Sequence, residues 1–221
     1  MFSETLKREY DINTPIFAEE IIKQFSNLSR AYVFRLISKA VSEGTLNCFT
    51  RGVYYLPRKT FFGSSSICAE MVAEKKYIKS NDSVYGIYAG LNLLNQFGLT
   101  SQVPNTIEIV TNNEATRKRK ITIEGRQFIL RKARCEITAE NYPVYTLLQL
   151  FTDMDNSDNL DDFSKRRISE FITENNIRTE ELSSMAMSFP AATIKKMVRS
   201  GIGSNIRKSS RNESKTLNDF D

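Results

Sequence analysis

Hydrophobic positions recur at helical spacing through the first quarter of the chain and then switch to alternation. Ser3 to Tyr10 suits a short opening helix, and Pro15, Ile16 and Phe17 a brief extended segment. From Ala18 to Phe25, the residues Ile21, Ile22 and Phe25 make an apolar stripe that predicts a second helix. Ser26, Asn27 and Leu28 read as a turn. Ser29 is placed to cap a third helix, because its hydroxyl can accept an otherwise unpaired N–H of the first turn. On that helix Val33, Leu36, Ile37, Ala40 and Val41 share one face, and Gly44 ends it. The opposite face carries Ala31, Tyr32, Arg35, Ser38, Lys39 and Ser42, small or polar and with no acid among them; Glu43 comes only at the far end. Leu46 to Phe49 and Val53 to Leu56 then follow as two strands around Thr50, Arg51 and Gly52, with Gly52 suited to the positive φ of a tight hairpin.

Beyond Arg58 and Lys59 the pattern changes. FFGSSS supplies helix-starting serines, and Ile67 to Tyr77 continues as a helix. The stretch YGIYAGLNLLNQFG from Tyr85 predicts a buried helix, with Leu91, Leu94 and Phe97 inward, Ala89 and Gly90 allowing close packing, and Gly98 at its end. TIEIVT, RKITI and QFILRKA read as three strands, the last two joined by a turn at Glu124 and Gly125. Further helices are predicted over Val144–Phe151, Asp162–Asn175, Thr179–Met187 and Ala191–Ser200. The expected fold class is therefore α+β: an N-terminal winged helix-turn-helix over residues 1–60, then a helical domain with a small antiparallel sheet over 61–200. Residues 201–221 have few large apolar side chains and read as a mobile tail.

Composition narrows the classes. With 221 residues, 40% hydrophobic and 26% charged, the chain can hold one large domain or two small ones, and two is the preferred division. No apolar run approaches membrane-spanning length, and MFSETLKREYDIN lacks the apolar core of a secretory signal, which predicts a cytoplasmic protein without membrane association. Cys48, Cys68 and Cys135 are far apart and odd in number, so neither a disulfide framework nor a zinc site is expected. The complete absence of histidine removes the commonest general base and transition-metal ligand.

A net charge of +5 is informative only through its distribution. The helix-turn-helix-hairpin pattern places its second helix for a major groove, although such units also serve as protein docking modules. Arg35 stands near the middle of the polar face and can present two donors to guanine O6 and N7. Tyr32 and Ser38 suit bases or backbone, while Arg30, Lys39 and the hairpin-tip Arg51 suit phosphates; for any one of them the alternative is a solvated surface side chain. A second basic run, Arg117, Lys118, Arg119 and Lys120, joins Arg126, Arg131, Lys132 and Arg134 on neighbouring strands. It could guide flanking DNA, bind RNA, face an acidic protein, or simply protect a strand edge by charge.

The best case for an enzyme is DMDNSDNLDD, which clusters Asp153, Asp155, Asp158, Asp161 and Asp162. As a calcium loop it fails: Asp158 stands where glycine makes the turn, and Ser164 where the bidentate glutamate belongs. As a magnesium site it lacks a partner motif. Gly63, Ser64 and Ser65 resemble a nucleotidyltransferase start, but no carboxylate pair follows at useful spacing. A solvated interhelical loop is expected, with Asp161 and Asp162 favouring the start of the next helix. No Walker motif, dinucleotide fingerprint or nucleophile elbow is present, so no catalytic residue, cofactor or metal is expected.

SRAYVFRLISKAVSEG followed by FTRGVYYLP, then YAGLNLLNQFGLTSQVPNTIEIVTNN and FILRKAR, resembles the AbiEi-type antitoxins of bacterial type IV toxin-antitoxin systems, which act in abortive-infection phage defence. The resemblance covers residues 10 to 155. It implies an N-terminal domain that binds inverted repeats in its own promoter and represses transcription. It also implies a C-terminal domain that opposes a nucleotidyltransferase-like toxin without forming a stable complex with it. By matching position, Ser29, Arg30, Tyr32, Arg35, Ser38, Lys39 and Arg51 are the DNA-contact candidates, and Arg117, Lys118, Arg119, Lys120, Arg131 and Lys132 a possible secondary basic surface. The chain departs from the family in its first hairpin strand, where Asn47, Cys48 and Phe49 replace the basic residues such hairpins often carry. A stand-alone winged-helix regulator, or a metal-dependent nucleic-acid-processing enzyme, are the alternatives. Inverted repeats would suit either two protomers or cooperative monomers on DNA.

Overall fold

Leu6, Ile16, Ile21, Val33, Ile37, Ala40, Leu46 and Leu56 form one buried cluster, and the elements carrying them make the first unit of the fold. In the computed structural model, which describes residues 2–61, 63–155, 160–202 and 206, the chain is α+β and divides into two units, Met1–Lys75 and Lys76–Asp221. The first contains α1 (Phe2–Glu9), β1 (Ile16–Phe17), α2 (Ala18–Gln24), α3 (Arg30–Ser42), β2 (Asn47–Thr50) and β3 (Val53–Tyr55). A small hairpin, β4 (Lys59–Thr60) and β5 (Gly63–Ser64), then leads to α4 (Ala69–Tyr77).

Local chemistry explains the starts of these helices. At α2 the Phe17 N–H donates to Glu20 Oε2 at 2.7 Å, and Glu19 and Glu20 put negative charge at the positive helix end. At α3 Ser29 is extended, and its hydroxyl accepts from the Tyr32 N–H at 3.3 Å. β2 and β3 form an antiparallel hairpin, and β1 adds to the other side of β3, giving the order β1-β3-β2. Gly52, at φ 82°, makes the hairpin tip.

The division between units falls within α4 rather than near residue 60. Lys75 explains why. Its ammonium donates to the Pro15 carbonyl at 2.7 Å, pairs with Glu20 at 2.8 Å, and lies 5.7 Å and 5.6 Å from the Tyr10 and Phe17 ring centres. These contacts claim most of α4 for the first unit.

The second unit starts with a hairpin, β6 (Lys79–Ser80) and β7 (Ser83–Val84), and continues through β8 (Gly86–Ala89) and α5 (Gly90–Gln96). Three longer strands follow, β9 (Thr106–Thr111), β10 (Lys118–Ile123) and β11 (Arg126–Lys132). The rest is helical: α6 (Tyr142–Asp153), α7 (Asp162–Glu174), α8 (Thr179–Ala186) and α9 (Ala191–Arg199). Every residue of α6 from Pro143 to Phe151 is buried, so this helix is the axis about which the others pack. Each large apolar side chain buried there contributes about 1.5–3 kcal/mol.

Three expectations are corrected. The helix expected from Tyr85 is a strand as far as Ala89 and a helix only from Gly90. Gly90 adopts φ 61°, which breaks helical continuity, while Gly86 to Ala89 pair with Thr111 to Glu108. The expected three-stranded antiparallel sheet is a four-stranded mixed one of order β10-β11-β9-β8, in which β9 and β11 run parallel. Burial decides that order. Phe128, Ile129 and Leu130 take β11 into the interior, and the charged β10 is left at the edge, where its Lys and Arg side chains discourage pairing with other chains. FFGSSS contributes to the β4–β5 hairpin and not to a helix start. The tail expected over 201–221 lies outside the described residues, apart from Gly201, Ile202 and Ile206.

The entry into β8 leaves no room for a side chain. A Cβ at Gly86 would stand 2.0 Å from the Tyr77 carbonyl oxygen and 2.8 Å from that of Val110. Gly86→Ala should therefore destabilise the second unit by about 3 kcal/mol, the upper end for overpacking. Urea denaturation followed by circular dichroism measures this; an unchanged midpoint would mean that β8 does not lie against Tyr77 as described.

Candidate nucleic-acid interface

The periodicity that buries Val33, Ile37 and Ala40 turns the other side of α3 to solvent. Ala31, Tyr32, Phe34, Arg35, Ser38, Lys39 and Ser42 are all exposed, as are Ser29 and Arg30. Phe34 is the addition that the polar face did not foretell. Arg51 is exposed at the tip of the β2–β3 hairpin.

The cations on α3 differ in what holds them. Arg30 Nη2 donates to Glu19 Oε1 at 2.6 Å, and its guanidinium lies 5.7 Å from the Phe34 ring centre. Lys39 is 3.8 Å from Glu43 one helical turn on. Both pairs are exposed, so each is worth little and is readily exchanged for another anion. Arg35 and Arg51 have no acid, ring or hydrogen-bond partner among the described residues. The Ser38 hydroxyl donates to the Phe34 carbonyl at 3.0 Å and that of Ser42 to the Lys39 carbonyl at 2.8 Å, so both are satisfied within their own helix. On the hairpin, the Cys48 thiol is 3.3 Å from the Thr50 carbonyl.

In the second unit the basic run divides. Arg117, Lys118, Lys120 and Lys132 are exposed. Arg119 Nε donates at 2.7 Å to the buried Glu114, whose other carboxylate oxygen accepts from the Thr116 N–H at 3.0 Å and the Thr116 hydroxyl at 2.7 Å. Burial pushes the Glu114 carboxyl up, but the two Thr116 bonds and the Arg119 guanidinium outweigh it and hold the pKa below the ordinary carboxylate value.

Arg131 is half-buried and engaged by acids of its own unit. Its Nε donates to Glu108 Oε2 at 2.8 Å, Nη2 reaches the same oxygen, and Nη1 is 3.5 Å from Asp153 Oδ1. Asp153 also accepts from Gln149 Nε2 at 2.9 Å and from the Gly90 N–H at 2.7 Å. Its side chain is 7% exposed, so it belongs to the interior and not to a solvated loop. Asp161 caps α7 as expected, accepting from the Ser164 N–H at 2.7 Å, while Asp155 is exposed and Asp158 lies outside the described residues. Among the described residues no three Asp, Glu or Cys side chains gather where they could hold a metal. No described helix is long and apolar enough to cross a membrane.

Glu114 has a pH signature. Its depressed pKa means that its contribution to stability is complete above the unfolded-state value, near 4.5, and is lost as pH falls through the lower folded-state value. Thermal melts between pH 7 and pH 3 should show Glu114→Gln less stable at neutral pH, with a shallower loss below pH 4.5 than the parent chain. Parallel acid limbs would show that the carboxylate is not held as described.

A family model described as a family of unknown function (DUF6088) matches residues 16–180, and the chain belongs to that family. The matched span runs from β1 into α8 and so takes in α3, the hairpin, the four-stranded sheet and α6. No curated protein matches the chain.

Proposed function

We propose that the first unit is a winged helix-turn-helix that binds duplex DNA, with α3 as recognition helix and the β2–β3 hairpin as wing, and that the protein is a transcriptional repressor. The order α1-β1-α2-α3-β2-β3, with β1 added to the hairpin, supports the assignment of the unit. The observation that carries the function is Arg35: an exposed guanidinium in mid-helix, without an acid partner, on a helix that has no acid of its own before Glu43. A planar donor in that position suits a guanine edge in the major groove, whereas Lys39 and Arg51 suit phosphates.

The resemblance to AbiEi-type antitoxins extends this proposal. The repressed promoter is then the protein's own, and the second unit opposes a nucleotidyltransferase-like toxin made from the same operon. The supports for this part are the sequence segments that carry the resemblance and a second, α+β unit that follows the first along the chain.

Binding measured over a salt series on the upstream region of the gene and on a scrambled duplex tests the first part. Arg35→Ala should lose about tenfold or more on the cognate duplex alone, the worth of a bidentate base contact. Lys39→Ala should weaken both duplexes alike and reduce the log–log salt slope by about 0.9, the share of one phosphate. If both variants behave alike on both duplexes, the division of roles is wrong; if the parent chain prefers neither duplex, so is the function.

For the second part, the chain is co-expressed with a nucleotidyltransferase-like product of a neighbouring gene. Arg35→Ala should relieve growth arrest as well as the parent chain does while failing to repress the promoter. Loss of both activities together would argue against separate seats for them.

A further inference from the structure

Two aromatic rings stand on the outward side of α3, where the remaining residues are small or polar: Tyr32 is 46% exposed and Phe34 37%. Their surroundings differ. Phe34 carries the Arg30 guanidinium over its face, and Glu19 holds that guanidinium in turn. Tyr32 has neither a ring, a cation nor a hydrogen-bond partner for its hydroxyl among the described residues, although its backbone N–H donates to the Ser29 hydroxyl. A large apolar surface is thus held in water beside the free Arg35, three residues along the helix. Side chains at that spacing stand roughly 5–6 Å apart. On a duplex whose bases rise about 3.4 Å, this spans one to two base-pair steps.

We infer that Tyr32 and Arg35 are a specificity pair, reading a thymine that lies one or two base pairs from a guanine. The inference rests on the DNA-binding function proposed above and assigns what α3 recognises. The chemistry follows from the groove. Thymine alone among the four bases carries a methyl group there, where cytosine has only a C–H and the remaining distinguishing features are hydrogen-bond donors and acceptors. The exposed part of the Tyr32 ring, with no other ring or cation against it among the described residues, gains apolar contact against that methyl. The adjacent guanidinium takes guanine O6 and N7 together. The Tyr32 hydroxyl, at the far end of the ring, adds a donor for a phosphate oxygen and so contributes affinity without sequence preference.

The full-length chain is used to enrich duplexes from a random library. The guanine read by Arg35 is located by replacing guanines with 7-deazaguanine, which removes N7. Thymines are then replaced one at a time with deoxyuridine, which deletes only the methyl group. At one thymine within two base pairs of that guanine, the parent chain should lose about fourfold in affinity, the worth of one buried methyl group. Tyr32→Ala should bind the thymine and uracil duplexes equally. Tyr32→Phe should keep the fourfold discrimination while binding both more weakly. Circular dichroism is expected to show both variants folded, since Tyr32 is nearly half exposed on the outward side of α3. If Tyr32→Ala retains the discrimination, or if no methyl matters, the assignment is overturned while DNA binding stands, and the exposed ring belongs to a protein contact instead. If no duplex is enriched, this inference and the proposed function fall together.

Discussion

The guanidinium of Arg131 is the tie on which the second unit depends. It stands on β11, bonds Glu108 on β9, and reaches Asp153 at the end of α6. Asp153 in turn accepts the N–H of Gly90, where the chain turns from β8 into α5. One positive charge and two carboxylates therefore connect two parallel strands, the central helix and the strand-to-helix junction. Burial opposes ionisation of this group, and the two carboxylates overcome it, raising the Arg131 pKa further above its already high ordinary value. Removing one partner leaves the others partly desolvated without their attraction, a cost that burial of Asp153 raises and the quarter exposure of Arg131 and Glu108 lowers.

The same principle settles which cations are left for a ligand. A run of basic residues looks uniform along the chain, yet acids elsewhere draw on it unequally. Glu108 and Asp153 take Arg131 inward, Glu114 takes Arg119, and Glu19 takes Arg30. What remains accessible is set by the positions of the carboxylates as much as by those of the cations. On α3 the result is a face with one uncommitted guanidinium and one uncommitted ring, which is a more selective surface than its charge alone would suggest.

Much of the fold was legible because its determinants are local. The helices from α1 to α3 and from α6 to α9 begin and end within a few residues of the positions that periodicity, Ser29 and Asp161 indicate. The failures are non-local. Tyr85 to Ala89 is apolar and short, a run that fits a helix or a strand equally; pairing with β9 decides it. The place of β11 between β9 and β10 reflects competition for burial, which no local signal records. The candidate site divides in the same way. The outward face of α3 follows from a period of 3.6, but the partner of Arg30 is eleven residues away, and those of Arg131 are twenty-three and twenty-two.

Under the proposed function, the small number of free cations has a consequence for how DNA would be held. Each phosphate neutralised contributes about 0.9 to the salt slope, and non-specific affinity grows with the number of such contacts. In the first unit Arg35 is assigned to a base, and Arg51 is the remaining basic residue of the α3 and hairpin candidates without an acid partner. Lys39 and Arg30 can contribute only by exchanging a carboxylate for a phosphate. The first strand of the hairpin offers Asn47, Cys48 and Phe49 and adds no charge. Through α3 and the hairpin alone, a single copy would therefore make few backbone contacts and depend on base contacts for its preference. Two copies on an inverted repeat would double the phosphate contacts and square the discrimination, without adding a charge to either chain. The sparse free charge of α3 and its hairpin would, under that proposal, suit a repressor that must ignore most of the DNA it meets.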